Sequence, residues 1–311
     1  MKKMLKAVGI ILLFIIALII MLFIMVLNKK AVPKDYMEKV TTGGDIETKY
    51  IKNGTYEVSY IEMGAMQNFK KYEIYYPLNI ENENKKYPAV IFSNGTGVKG
   101  SSYPALLEHL SSWGFIVIAT EEEYSWNGLS SNLCLKTLQK INNNKDIDGW
   151  EVNPFYNKVD FNNIGVSGHS QGGAGVINAI TNTTYSNMYK TAFIESPTNK
   201  ELEEALDWNY DARKINIPVL LTSSTGDADI NLVVNLEQLK SIYDDIPETV
   251  NKVMLRRNNA DHGDMLYFVD GYMTAWFMWQ LQNDEEAAKA FVGDNAEILN
   301  NTLYQDIDKN I

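Results

Sequence analysis

The chain has 311 residues, 45% of them hydrophobic, and a formal net charge of −11. That is enough apolar material for one large α/β domain or two small ones behind a distinct N-terminus. Five lysines and no acid fall in the first thirty residues, so residues 31–311 carry 23 basic against 39 acidic side chains, a net of −16. So acidic a body repels phosphate backbones and anionic headgroups, which excludes nucleic-acid binding as a function. The single cysteine, Cys134, allows no internal disulfide, and without a CxxC or a Cys/His cluster no metal site can be read. Cys134 falls in a leucine-patterned helical stretch (Leu133, Leu135, Leu138) and reads as a small buried hydrophobe.

Residues 7–27 are apolar without a charge. As a helix, this stretch spans about 31 Å, the depth of a bilayer core. The stretch is long and uniform for a signal-peptide core, and Asn28-Lys29-Lys30-Ala31-Val32-Pro33 offers no small-x-small cleavage site. Residues 1–30 are therefore expected to form an uncleaved signal anchor, one N-terminal transmembrane helix; secretion after cleavage is the alternative. Lys2, Lys3, Lys6 and the free amino terminus outweigh Lys29 and Lys30, which places the N-terminus in the cytoplasm and the body outside the membrane. Residues 31–55, with Thr41-Thr42-Gly43-Gly44 and no apolar period, are expected to be a linker.

From residue 56 to residue 311 strand-like and helix-like stretches alternate, as in one catalytic domain. Strands are expected at 56–62, 72–76, 89–92, 115–120, 163–167, 191–194, 219–223 and 252–255. Continuous apolar runs such as Phe115-Ile116-Val117-Ile118-Ala119 suit strands buried on both faces. Helices are expected at 103–113, 171–181, 232–243 and 264–281. The alternation predicts a mostly parallel central sheet flanked by helices, with an antiparallel start because the first two strands have no helix between them. The polar stretch 121–160, with Tyr124, Trp126, Trp150 and Phe155, either roofs a pocket or packs its aromatics on the body.

The strongest local signal is Gly168-His169-Ser170-Gln171-Gly172-Gly173, which closes a strand and opens a helix. This is G-x-S-x-G in the context of a nucleophile elbow. The turn is tight enough that side chains two residues either side of the serine would clash, and the next helix N-terminus lies beneath a developing oxyanion. A serine hydroxyl needs a base, and the chain has three histidines. His169 neighbours the nucleophile and points away from its Oγ. His109 precedes it within a helix. His262, in the polar loop Asn258–Asp264 after the last expected strand, alone satisfies the order Ser, acid, His. The acid belongs in Thr225-Gly226-Asp227-Ala228-Asp229-Ile230, where Asp229 is favoured and Asp227 is the alternative. Oxyanion donors are expected at the Gln171 amide and in Ser93–Gly100, at Thr96 with Gly95 as the alternative.

With Ile91–Gly97, Ser112–Ala119 and the elbow taken together, residues 70–280 resemble the α/β-hydrolases that include chlorophyllases, dienelactone hydrolases, platelet-activating-factor acetylhydrolases and cutinase-like polyesterases. The resemblance implies carboxylic-ester hydrolysis of a small-molecule or lipid ester through Ser170, His262 and Asp229, with no cofactor. Dienelactone hydrolases often use cysteine where this chain has serine. Polyesterases of the group usually carry a tryptophan where this chain reads Glu195-Ser196-Pro197-Thr198, which weighs against polyester or cutin cleavage. An acyltransferase, amidase or peptidase using the same residues, and a non-catalytic hydrolase-like binding module, remain alternatives.

Overall fold

The computed structural model describes residues 31–66 and 69–311. The expected membrane segment lies outside the described residues; among those described, no helix is long and apolar enough to cross a membrane.

The described strands build one sheet. An antiparallel pair, β1 (Val58–Gly64) and β2 (Lys71–Pro77), starts it. Then come β3 (Tyr87–Ser93), β4 (Ile116–Thr120), β5 (Val159–His169), β6 (Tyr189–Glu195), β7 (Val219–Ser224), β8 (Lys252–Arg257) and β9 (Tyr304–Lys309). The spatial order is β1-β2-β4-β3-β5-β6-β7-β8-β9. All pairings from β4 through β3 to β8 are parallel, and β9 closes the far edge antiparallel to β8.

The central strands are apolar on both sides because both sides are covered. In β3, Ala89 and Ile91 face one core while Val90 and Phe92 face the other. The first core is closed by α4 (Leu129–Asn143), α5 (Gln171–Asn182) and α7 (Leu236–Asp245). The second is closed by α3 (Pro104–Ser112) and α9 (Asp270–Gln282). Expected helix 264–281 is broken at Val269 into α8 (Met265–Phe268) and α9, because Val269 leaves helical geometry at φ −104°, ψ 2°. Expected helix 232–243 starts only at Leu236, where Asn235 and Gln238 form a reciprocal capping box; residues Asp229–Val233 form a separate wide turn. The polar stretch 121–160 packs on the body: Phe155 meets Tyr76 at 4.7 Å and Trp150 at 5.9 Å.

Residues 31–55 differ from a free linker. They contain α1 (Tyr36–Lys39) and α2 (Asp45–Tyr50), and Tyr36 and Tyr50 are fully buried in the second core. The Tyr36 hydroxyl donates to Asp270 at 2.5 Å, and the Tyr50 hydroxyl donates to Asp284 at 2.7 Å. Buried Glu47 accepts from the Gly43 amide, Asn301 and Tyr304. These contacts come from scattered polar and aromatic residues, which is why no apolar period announces them.

Candidate active site

Ser170 stands between β5 and α5 with φ 60° and ψ −126°, a strained conformation for a residue with a side chain. The flanking glycines permit it. A Cβ on Gly168 would lie 2.5 Å from the Gly172 carbonyl oxygen, and one on Gly172 would lie 2.2 Å from that of Ser93. The Ser170 amide donates to the Glu195 carbonyl at 2.9 Å, fixing the turn to β6. Gln171 opens α5, so its N–H has no carbonyl within the helix to meet.

His262 and Asp229 are brought together from two neighbouring loops. His262 Nδ1 lies 2.7 Å from Asp229 Oδ1. The other carboxylate oxygen, Oδ2, accepts the Ser196 hydroxyl and the Ser224 amide, both at 2.7 Å. Asp229 is fully buried. Burial alone would raise its pKa; the donors from His262 and Ser224 outweigh burial and hold the carboxyl below its usual range. His262 and Ser170 line the same cavity, and Nε2 is the ring nitrogen of His262 that Asp229 does not engage. Asp227 is exposed and stays apart; its backbone carbonyl accepts from the Asn231 side chain. The His262 loop is itself pinned by a capping box between Asp261 and Asp264.

The loop after β3 separates the two oxyanion candidates. The Gly95 amide donates to the Tyr103 hydroxyl at 3.2 Å and the Gly97 amide to the Glu123 carbonyl at 2.9 Å. The Thr96 N–H between them has no partner among the described residues, and Thr96 lines the cavity.

Two histidines turn out to have definite partners. His109 is buried, with Nδ1 2.8 Å from Asp270. His169 lies against His262, with ring centroids 4.4 Å apart, and lines the same cavity as Ser170. Burial, reinforced by His262, pushes the His169 pKa down to about 3, so the ring is neutral.

The cavity over Ser170 holds about 670 Å³. Gly95, Thr96, Ser170 and His262 form its reactive side. Leu202, Leu206 and Trp208, on and just beyond α6 (Lys200–Leu206), form one apolar wall. Leu232 and Val233 from the wide turn, with Val98, Leu266 and Ala31, complete it. The stretch 121–160 contributes nothing to this lining. Among the described residues no cluster of three His, Cys, Asp or Glu is arranged to hold a metal. Sequence reasoning missed Ser196, the partnership of His169, and the wall from α6. Ser196 was findable in principle, since it follows the strand beside the elbow; the wall carries no local signal.

A mostly parallel sheet with a strained serine at a strand–helix turn, and an Asp–His pair on the loops after later strands, defines the α/β-hydrolase fold. Within that class the chain belongs to the PET hydrolase-like family, whose model matches residues 41–308. It is 26% identical over 193 residues to cutinase est1 of Thermobifida alba, covering 61% of this chain and 56% of that protein. It is 23% identical over 202 residues to a bis(hydroxyethyl) terephthalate hydrolase of Streptomyces coelicolor, covering 64% and 57%. The chain thus spans little more than half the length of the curated relatives it matches.

Proposed function

We propose that this protein is a serine-dependent carboxylic-ester hydrolase, held at a membrane through residues 7–27 with its catalytic body outside the cytoplasm. The observation that carries the catalytic reading is the 2.7 Å contact between His262 Nδ1 and buried Asp229, on the cavity that strained Ser170 also lines. Asp229 holds the imidazole with Nδ1–H inward, so Nε2 is free to take a proton. Ser170 Oγ attacks the ester carbonyl carbon as its proton passes to Nε2. The oxyanion is received by the Gln171 and Thr96 amides. The bond to the alkoxy oxygen breaks as Nε2 returns the proton to it, and an acyl-serine remains. Water, deprotonated by the same nitrogen, then releases the acid and restores the serine.

The cavity walls support an apolar acyl part. The names of the relatives support ester chemistry, while the tryptophan that polyesterases usually carry beside β6 is replaced here by Ser196-Pro197-Thr198, and Trp208 enters the cavity from beyond α6 instead. The full chain in detergent should hydrolyse p-nitrophenyl butyrate and take up a fluorophosphonate label, and Ser170→Ala should lose both. A folded parent that does neither removes the esterase reading in favour of a binding module.

A further inference from the structure

Where the body begins bears on where its substrate comes from. Ala31 lines the same cavity as Ser170. Its amide donates to the Ser102 carbonyl at 2.9 Å, Val32 is buried, and Tyr36 is bonded to Asp270 in the core. The chain is therefore tied to the body at the cavity rim and again at Tyr36 and Tyr50. Upstream, only Asn28, Lys29 and Lys30 lie between Leu27, the end of the uncharged run, and Ala31, four Cα–Cα steps in all. Fully extended, they reach at most about 14 Å. The polar layer on each side of a bilayer core is about 5–8 Å deep. A run 7–27 seated in a bilayer therefore holds this rim at the headgroups.

The rest of the rim fits that position. Leu206, at the end of α6, is 44% exposed, and Leu232, on the wide turn, is 66% exposed; both line the cavity. Ile230, two residues before Leu232, is 41% exposed. Two separate elements thus place large apolar side chains around the opening that Ala31 borders. The body's net −16, with Asp207 and Asp227 exposed beside these leucines, selects a neutral or zwitterionic surface over an anionic one.

We infer that the active-site mouth rests on the bilayer that holds residues 7–27, and that the acyl esters cleaved at Ser170 enter the cavity directly from that lipid layer. The inference rests on the hydrolase and tether readings above and names their substrate class: uncharged or zwitterionic esters carrying a fatty acyl chain and resident in the membrane.

The test uses the full chain reconstituted in phosphatidylcholine vesicles, with a fluorogenic long-chain acyl ester dissolved in the bilayer and p-nitrophenyl butyrate in the water. A variant with about thirty Gly/Ser residues inserted between Lys30 and Ala31 frees the mouth from the surface by an added reach of about 30 Å. The insertion is expected to slow hydrolysis of the bilayer ester about tenfold and to leave butyrate hydrolysis within twofold. Bilayer-ester hydrolysis that survives the insertion overturns the inference, and a mouth covered by a second copy of the chain would give that result. Equal losses on both esters also overturn it, because the cavity itself would have changed. A parent inactive on butyrate too sinks the hydrolase reading, a distinct outcome.

Discussion

His169 Nε2 sits 2.7 Å from the backbone carbonyl oxygen of His262, so the residue beside the nucleophile holds the loop that carries the proposed base. A carbonyl can only accept, which makes Nε2 the protonated nitrogen of a neutral His169. His169→Phe keeps a ring against His262 and removes the donor. A base displaced by a fraction of an ångström loses near-attack geometry. The expected result is a kcat about ten- to a hundredfold lower with KM within twofold, read from ester hydrolysis at saturating substrate.

The same substitution has a pH signature. Burial and His262 hold the folded His169 pKa at about 3, below the unfolded value near 6.5. Between those values the unfolded chain binds a proton that the folded chain refuses. The contribution of neutral His169 is thus complete above pH 6.5 and is lost as pH falls toward 3, at up to about 1.4 kcal/mol per pH unit. Urea midpoints of His169→Phe should fall less steeply than the parent's between pH 6.5 and 4. Parallel slopes would mean that His169 is protonated without cost in the folded state.

Asp229 and Asp227 lie two residues apart and face different surroundings. Asp229→Asn leaves the size of the side chain intact but removes the charge that orients His262; it is expected to lower kcat by about three to four orders of magnitude. Asp227→Asn, on an exposed side chain, should stay within twofold. Ser196→Ala removes one of the donors to Asp229 Oδ2 and should cost about tenfold in kcat with little change in KM. Loss of activity in Asp227→Asn with Asp229→Asn active would reverse the assignment of the acid.

Part of this site was legible because its signal is one short motif. Gly168 is demanded by the Gly172 carbonyl four residues on and Gly172 by the sequence-distant Ser93 carbonyl, yet both stand beside Ser170 in the chain, and the order of serine, acid and histidine follows from the order of the strands. The choice of Asp229 over Asp227 was readable only as a preference; the structure brings Asp229 to His262 because the turn 229–233 folds its carboxylate inward beneath Ser196 and Ser224. His169 could not be read, since its partner is ninety-three residues away. The edge strand β9 escaped because Tyr304–Lys309 is mostly half-exposed and polar, and its place comes from pairing with β8. Residues 31–55 escaped for a related reason: their anchors, Tyr36, Glu47 and Tyr50, are held by partners more than two hundred residues downstream.

Trp208 and Leu202 give the cavity an apolar wall and predict a chain-length preference. Each methylene of the acyl chain that reaches this wall is worth about 0.8 kcal/mol, close to fourfold in kcat/KM. Rates on p-nitrophenyl esters should therefore climb from acetate to octanoate. Trp208→Ala is expected to flatten that climb while leaving acetate hydrolysis within about threefold. A flat series in the parent would mean that the acyl chain points out of the cavity.

His109 and Asp270 form a fully buried pair that also takes the Tyr36 hydroxyl, so the N-terminal segment is locked to α3 and α9 through one carboxylate. His109 Nε2 faces the Lys52 carbonyl at 2.8 Å and the Trp113 indole N–H at 3.3 Å, and Nδ1 lies within ion-pair distance of Asp270. Burial opposes a charged imidazole, but Asp270 and the Lys52 carbonyl outweigh it and hold the His109 pKa above its ordinary value. The sign is then opposite to that of His169. The pair's contribution is complete below pH 6.5 and is lost as pH rises through the folded His109 value. Asp270→Asn leaves a buried imidazole without its counter-charge and is expected to cost about 3 kcal/mol near pH 6, lowering Tm by about 6–12 °C. The gap between parent and variant should narrow between pH 6 and pH 9. A gap that is constant with pH would show that His109 is neutral beside Asp270, and that the carboxylate holds Tyr36 and Thr274 without an ion pair.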